Sequence, residues 1–336
     1  MKAISVFNNK GGVGKTTLLC NLASYLSKEH DKHVLVIDAD PQCNTSIYLF
    51  GIEEITRELE KENPKTISRI FDPVQEGRGF IKKEDIPIKR SQGFGVDVVL
   101  GDTSLSTLED FLSADWLDGK RGNQRGLNTT LVLYDMLRII QDDYDYIFFD
   151  EGPSLGAINR VVLLACDYFL MPVSSDIFCL KAIENIAGVL KKWTTSLKKA
   201  IDEYEYDSGK KFTIRDHPYD NNLYFLGYVV QQYRAKLHQP VKAYDSIISQ
   251  IPRQIETNLK DFYPQEWDVD NLKIGEIPNF NSLIPLSQIA NKPVFSLEGK
   301  DGVVGAHFSK VKDFTDVISS IASNIFENID KYDKLA

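Results

Sequence analysis

At 336 residues, with 43% hydrophobic side chains and a formal net charge of −9, the chain has ample apolar material for a substantial core. It is too acidic to coat nucleic acid over its whole surface, although a local basic patch is compatible with that balance. The four cysteines, Cys20, Cys43, Cys166 and Cys179, are isolated and lack C-x-x-C spacing, which argues against a zinc site or a disulfide framework. No apolar run approaches a membrane span and Met1-Lys2 leads directly into a strand, so neither a membrane anchor nor a signal peptide is expected, and a cytoplasmic location is.

The apolar run 4–7 reads as a buried strand, and a helical pattern with Leu18, Leu19, Leu22, Ala23 and Leu26 begins at Thr16. Between them lies Asn8-Asn9-Lys10-Gly11-Gly12-Val13-Gly14-Lys15-Thr16-Thr17. Strand, glycine loop and helix is the context of a phosphate-binding loop, in which glycines without Cβ let backbone N–H groups face phosphate oxygens. The helix N-terminus adds partial positive charge, Lys15 is placed to reach the β- and γ-phosphates, and the Thr16 hydroxyl to hold Mg²⁺. The ordinary motif has glycine where Asn9 stands and asks for no lysine at position 10. A glycine-rich surface turn is the plain alternative, and the flanking strand and helix argue against it.

Residues 33–37 form a second fully apolar strand, as in a parallel sheet covered on both faces. Asp38 and Asp40 then stand at a strand's carboxyl end, where open α/β sheets bind ligands. A charged stretch over 51–95 contains a short helix at 66–71, a solvated turn at 82–85 and the surface pair Lys89-Arg90. A strand at 96–100 and a helix at 105–112 follow. Residues 115–130, with Lys120, Arg121 and Arg125, read as an exposed loop. A helix at 131–140 leads to the strand 146–149, which ends in Asp150 and Glu151.

Further helices are expected at 154–165 and 177–200, with a strand at 168–173 between them. The second helix carries Lys191, Lys192, Lys198 and Lys199, which form one basic stripe because residues seven apart lie nearly in line. A strand at 223–230 precedes a second basic cluster, Arg234, Lys236, His238 and Lys242, leading into a helix at 244–251. The last helix, 310–329, has an acidic polar face, so it is expected to pack on the body and not on a membrane. A doubly wound, mostly parallel α/β fold of one domain over 1–336 is expected, with insertions near 115–130, 202–222 and 255–272.

The loop Lys10-Gly-Gly-Val-Gly-Lys-Thr resembles that of the ParA/MinD group of P-loop ATPases. Three more stretches are similar to the group's motifs: Val34–Asp38-Ala-Asp40-Pro41-Gln42, whose ending favours the ParA branch; Tyr144–Asp150-Glu-Gly-Pro153-Ser154, like a Walker B strand; and Gly275-Glu-Ile-Pro278 with Asn291-Lys-Pro-Val294, like the segment that closes over the base. The resemblance implies an ATP- and Mg²⁺-dependent dimerisation switch for plasmid or chromosome partition, with slow hydrolysis stimulated by a centromere-binding or cargo-adaptor protein. It implies nucleotide contacts from Gly11 to Thr17 and Pro278, and metal contacts from Thr16, Asp38 and Asp150. Lys10 is implied to reach the partner chain's phosphates and Asp40 to activate water, with Glu151 as a rival for that role. Nonspecific DNA binding by the ATP-bound dimer, and with it nucleoid association, is also implied. Family members often place an arginine between the late Ile-Pro and Lys-Pro elements, but residues 279–291 hold no basic residue. The lysine stripe and Arg234 with Lys236 are the replacements on offer. A positioning ATPase for a non-DNA cargo is the nearest alternative, and a small-molecule enzyme or electron-transfer reductase on the same scaffold a more distant one.

Overall fold

The computed structural model describes residues 1–231, 246–280 and 282–335. Its core is an eight-stranded sheet in the order β10-β9-β6-β1-β5-β2-β4-β3, flanked by a two-stranded ribbon, β7-β8. The strands are β1 (Lys2–Val6), β2 (Val34–Ala39), β3 (Ile88–Ser91), β4 (Val96–Val99), β5 (Tyr146–Glu151), β6 (Tyr168–Ser174), β7 (Thr213–Ile214), β8 (His217–Pro218), β9 (Tyr224–Gln231) and β10 (Lys273–Ile277). All ladders of the large sheet are parallel except β3–β4, where the surface pair Lys89-Arg90 lies on an antiparallel edge strand.

Chain order hides one arrangement that decides the site. β1 and β2, consecutive strands joined by helix α1 (Lys15–His30), are not neighbours, because β5 lies between them. Its residue Asp150 is thereby opposite Val6 on one side and Asp38 on the other. The central strands β2, β5 and β6 are buried along their whole length, which is why they read as unbroken apolar runs.

Helices α2 (Asn44–Phe50), α3 (Ile52–Leu59) and α4 (Ser68–Gln75) follow β2, and α5 (Leu105–Gly119), α6 (Gln124–Thr130) and α7 (Val132–Ile140) precede β5. Helix α8 (Ala157–Ala165) packs on α5 and α7, and α9 (Ile177–Ser208) packs on α6 and α8, while α1 packs with the final helix His307–Asp333 on the opposite face of the sheet. The expected loop at 115–130 is therefore wrong. Its residues extend α5 and build α6, and Asp115, Leu127, Thr129 and Thr130 are buried. The helices meet where Gly119 and Gly126 bring backbones together, since a Cβ on Gly126 would overlap the Asp115 carbonyl. The Thr129 hydroxyl donates to the Asp115 carboxylate at 2.6 Å. A contact built from glycine, threonine and aspartate carries none of the apolar periodicity by which packed helices are recognised.

The expected insertion at 202–222 is partly helix as well. α9 runs on to Ser208 and stops at Gly209, whose φ of 65° suits a glycine after a helix. The ribbon that follows turns at Arg215 and Asp216 and is pinned by Arg215, whose guanidinium donates to both carboxylate oxygens of the buried Asp135, at 2.7 and 2.9 Å, and to the Ile81 carbonyl. The expected helix 244–251 falls partly outside the described residues; residues 246–248 are helical, and a further helix follows at Ile251–Asn258. Among the described residues no helix is long and apolar enough to cross a membrane.

Candidate nucleotide site

The loop from Asn8 to Thr17 joins β1 to α1 at the carboxyl edge of the sheet. Gly12 and Gly14 hold φ values of 73° and 74°, the left-handed region that strains any other residue. A Cβ on Gly12 would meet nothing within 4 Å, so the space before the loop is open. No side chain caps α1, whose N-cap is Gly14, which leaves its first N–H groups free for an anion. Gly11, Gly12, Val13, Gly14, Lys15, Thr16 and Thr17 all line a cleft of about 960 Å³ together with Asp40, Gln42, Asn44 and Pro153.

Lys15 is 8% exposed, and its ammonium donates to the carbonyls of Asn8, at 3.1 Å, and Lys10, at 3.3 Å. Burial lowers its pKa, opposed by the charges of Asp150, Asp40 and Glu151. The hydroxyls of Thr16 and Thr45 both donate to Asp150 Oδ2, at 2.7 and 2.6 Å. Burial pushes the Asp150 carboxyl up to about 6, against the pull of those hydroxyls and of Lys15. Its other oxygen, Oδ1, is buried without a hydrogen-bond partner. A threonine hydroxyl beside a carboxylate oxygen in want of a donor fits hydrated Mg²⁺, whose waters donate to carboxylates. Among the described residues no three His, Cys, Asp or Glu side chains cluster to hold a metal by themselves, and Mg²⁺ at such sites is bound largely by phosphate oxygens and water.

The two aspartates of β2 differ. Asp38 is fully buried and accepts from both the N–H and the hydroxyl of Ser46, each at 2.7 Å, so it holds the start of α2. Burial, and next the charge of Asp150, raise its pKa to about 7. Asp40 lines the cleft and accepts from the Gln42 N–H at 3.0 Å. Glu151 follows Asp150 in β5 and so points to the other face of the sheet. It is fully buried, accepts a short hydrogen bond from the Ser5 hydroxyl, and is pushed far above the carboxylate range by burial. It does not line the cleft.

Lys10 turns away from its own loop. Its ammonium donates to Ser174 Oγ at 3.0 Å and pairs closely with Asp176, the N-cap residue of α9. Sequence reading missed Ser174, Asp176 and Thr45, because nothing in their spacing links them to the loop. Beside Asp176, Ile177 and Phe178 are 67% and 71% exposed.

A second cavity, of about 270 Å³, adjoins the loop and is lined by Gly14, Thr17, Gln231, Ile277, Pro278 and Phe280 among others. It has the apolar walls a base needs, and it brings Pro278 to within one pocket of residues more than 250 positions earlier. The late segment is tied to the loop's helix, since Asn21 Oδ1 accepts from the Val294 N–H at 2.8 Å.

The basic stripe is on the surface, with Lys191, Lys192, Lys198 and Lys199 all exposed, but Lys191 pairs with Asp261 at 2.6 Å. Arg234 and Lys236 lie outside the described residues. All four cysteines are free and buried, so no thiol is presented to an interface.

A family model described as an AAA domain matches residues 1–203, more than half the chain. The chromosome partitioning protein ParA of Caulobacter vibrioides is 27% identical over 260 residues, covering 77% of this chain and 83% of its own. A crystal structure from Corynebacterium diphtheriae has 28% identity and a TM-score of 0.76 over 98% of this chain and 99% of that one. An ATP complex of McdA from Cyanothece shares the fold at 16% identity and a TM-score of 0.61, covering 98% and 96%. With its glycine loop, aspartate-bearing strands and late segment on one such sheet, the chain belongs to the ParA-type P-loop ATPases.

Proposed function

We propose that the protein is an ATP-driven dimerisation switch of the partition type, in which two chains close face to face over their nucleotides. Support comes chiefly from Lys10, which does not line its own cleft and is held at the rim by Ser174 and Asp176. Two phosphate sites facing each other repel unless cations enter, and a rim lysine from each chain supplies them. The exposed Ile177 and Phe178 beside it offer apolar area for such a contact.

In this reading the loop amides and Lys15 bind the phosphates, and Thr16 with Asp150 holds the hydrated metal, over an α2 fixed by Asp38. Mg²⁺, when bound, neutralises charge on the β- and γ-phosphate oxygens. Asp40 positions the attacking water, and the chain's part in the chemistry is mainly placement and charge. Pro278 and its cavity take the base. Hydrolysis is slow alone and stimulated by an adaptor or centromere-binding protein.

Lys10→Ala is expected to bind ATP with affinity near that of the wild type yet stay monomeric. Light scattering with ATP and Mg²⁺ checks this, and a wild-type dimer in the variant would remove the basis of the switch. For DNA, the lysine stripe is the surface in view. The wild type with ATP and Mg²⁺ is expected to retard nonspecific duplex DNA at low salt and release it steeply as salt rises, because a dimer doubles each set of phosphate contacts. Changing Lys191, Lys192, Lys198 and Lys199 together to glutamate is expected to abolish the retardation and leave dimerisation unchanged. Retention of DNA by that variant would move the contact elsewhere; indifference of the wild type would favour the non-DNA cargo.

A further inference from the structure

The segment between β5 and α8, Gly152 to Gly156, touches the nucleotide site at two points. A Cβ on Gly152 would stand 3.2 Å from Asp40 Oδ1, and Pro153 lies 3.8 Å from the Cβ position of Gly11. What holds this segment comes from behind it. Asn159, 2% exposed on the first turn of α8, donates through Nδ2 to the carbonyls of Gly152, at 2.8 Å, and Ser154, at 2.9 Å. Helix α8 has no side-chain cap of its own, and its first N–H, that of Ala157, donates instead to Glu109 Oε2 at 2.6 Å. A Cβ at position 156 would overlap the Glu109 carboxylate, so a larger residue there would push that side chain off the Ala157 N–H. One face of α5 grips the start of α8, because Glu109, Leu112 and Trp116 are spaced by three and four. Arg160 of α8 donates to the Leu112 carbonyl at 3.2 Å and stacks on Trp116 at 4.7 Å.

We infer that Asn159 and Glu109 are positioning residues for the reaction, holding the 152–156 segment as the wall that sets Asp40 and the phosphate loop. The inference rests on the reading of Asp40 given above. The chemistry of each group is specific. The Asn159 amide nitrogen carries two N–H donors and serves both carbonyls at once, so Asn159→Asp sets a carboxylate against them and Asn159→Ala leaves them unserved. Glu109 needs only an acceptor, so Glu109→Gln keeps the contact and Glu109→Leu loses it.

Two measurements on the full chain test this. In the nucleotide-free protein, amide hydrogen exchange across residues 152–157 should rise about tenfold or more in Asn159→Ala and Glu109→Leu, with Glu109→Gln like the wild type and exchange in β5 unchanged. In turnover, the same two variants should lose about tenfold or more in kcat with KM within about twofold, and Glu109→Gln should be rescued. Unchanged exchange over 152–157, or a Glu109→Gln variant as impaired as Glu109→Leu, would overturn the inference. If Asn159→Ala does not fold, the Glu109 pair makes the same comparison. Wild-type turnover in Asp40→Ala would instead sink the reading of Asp40, and the exchange measurement would still decide whether these residues hold the segment.

Discussion

Lys15→Ala is expected to remove measurable ATP binding in calorimetry while leaving the empty fold intact. A charge-assisted contact to phosphate is worth about 1.5–3 kcal/mol, and more in a cleft that excludes water. That is roughly ten- to a hundredfold in Kd from one side chain, before the loss of its role in drawing the loop together. The empty protein has little to lose. Burial lowers the pKa of Lys15, so its charged form is disfavoured by folding, and the two bonds its ammonium makes are to carbonyls of the loop itself. A lysine whose pKa falls on folding costs stability below its folded pKa, and the cost fades as pH rises through that value. Thermal melting at pH 7 without nucleotide should therefore be no lower in the variant. With Mg²⁺ and ATP the wild type should melt higher, by linkage, and the variant should not move. A variant that still gains stability from ATP would mean that the phosphates sit elsewhere.

The second large effect separates Asp40 from Glu151. Asp40→Ala is expected to bind ATP, accumulate as a stable dimer and lose about a hundredfold or more in hydrolysis, in the range seen when a group that acts on the attacking water is removed. Glu151→Gln should hydrolyse as the wild type does. Its carboxyl is enclosed beneath the loop, bonded to Ser5, with Oε2 buried and unpartnered. Burial raises its pKa, so its contribution to stability is present below the unfolded carboxylate range and is lost as pH rises towards the folded value. A glutamine at this position does not titrate and carries no such dependence. Melting temperatures of the two proteins should coincide near pH 4 and diverge towards pH 8, with the variant the more stable. If Glu151→Gln traps the dimer and Asp40→Ala turns over normally, the water-activating acid is Glu151.

Much of this site is legible without coordinates because its parts are short and local. A glycine loop between an apolar strand and a helix needs only ten consecutive residues to declare itself, and Asp38, Asp40 and Asp150 are each marked by the buried strand before them. The strand and helix order, and with it the doubly wound sheet, follows from alternating apolar patterns that both faces of the sheet must bury. Misreading residues 115–130 came from the same source: α5 and α6 meet through Gly119, Gly126, Thr129 and Asp115, where close backbones and one hydrogen bond replace apolar side chains.

Other features exist only in three dimensions. The insertion of β5 between β1 and β2 puts Asp150 against Thr16 and Thr45, and no spacing along the chain encodes which strands become neighbours. Glu151 and Asp150 are adjacent in sequence, yet the pleat turns Asp150 towards Thr16 of the loop and Glu151 towards Ser5. Lys10 meets Asp176 across 166 positions, and Glu109 caps α8 across 48. Such contacts depend on how helices of unequal length dock on a twisted sheet, a matter of packing that composition and periodicity leave open.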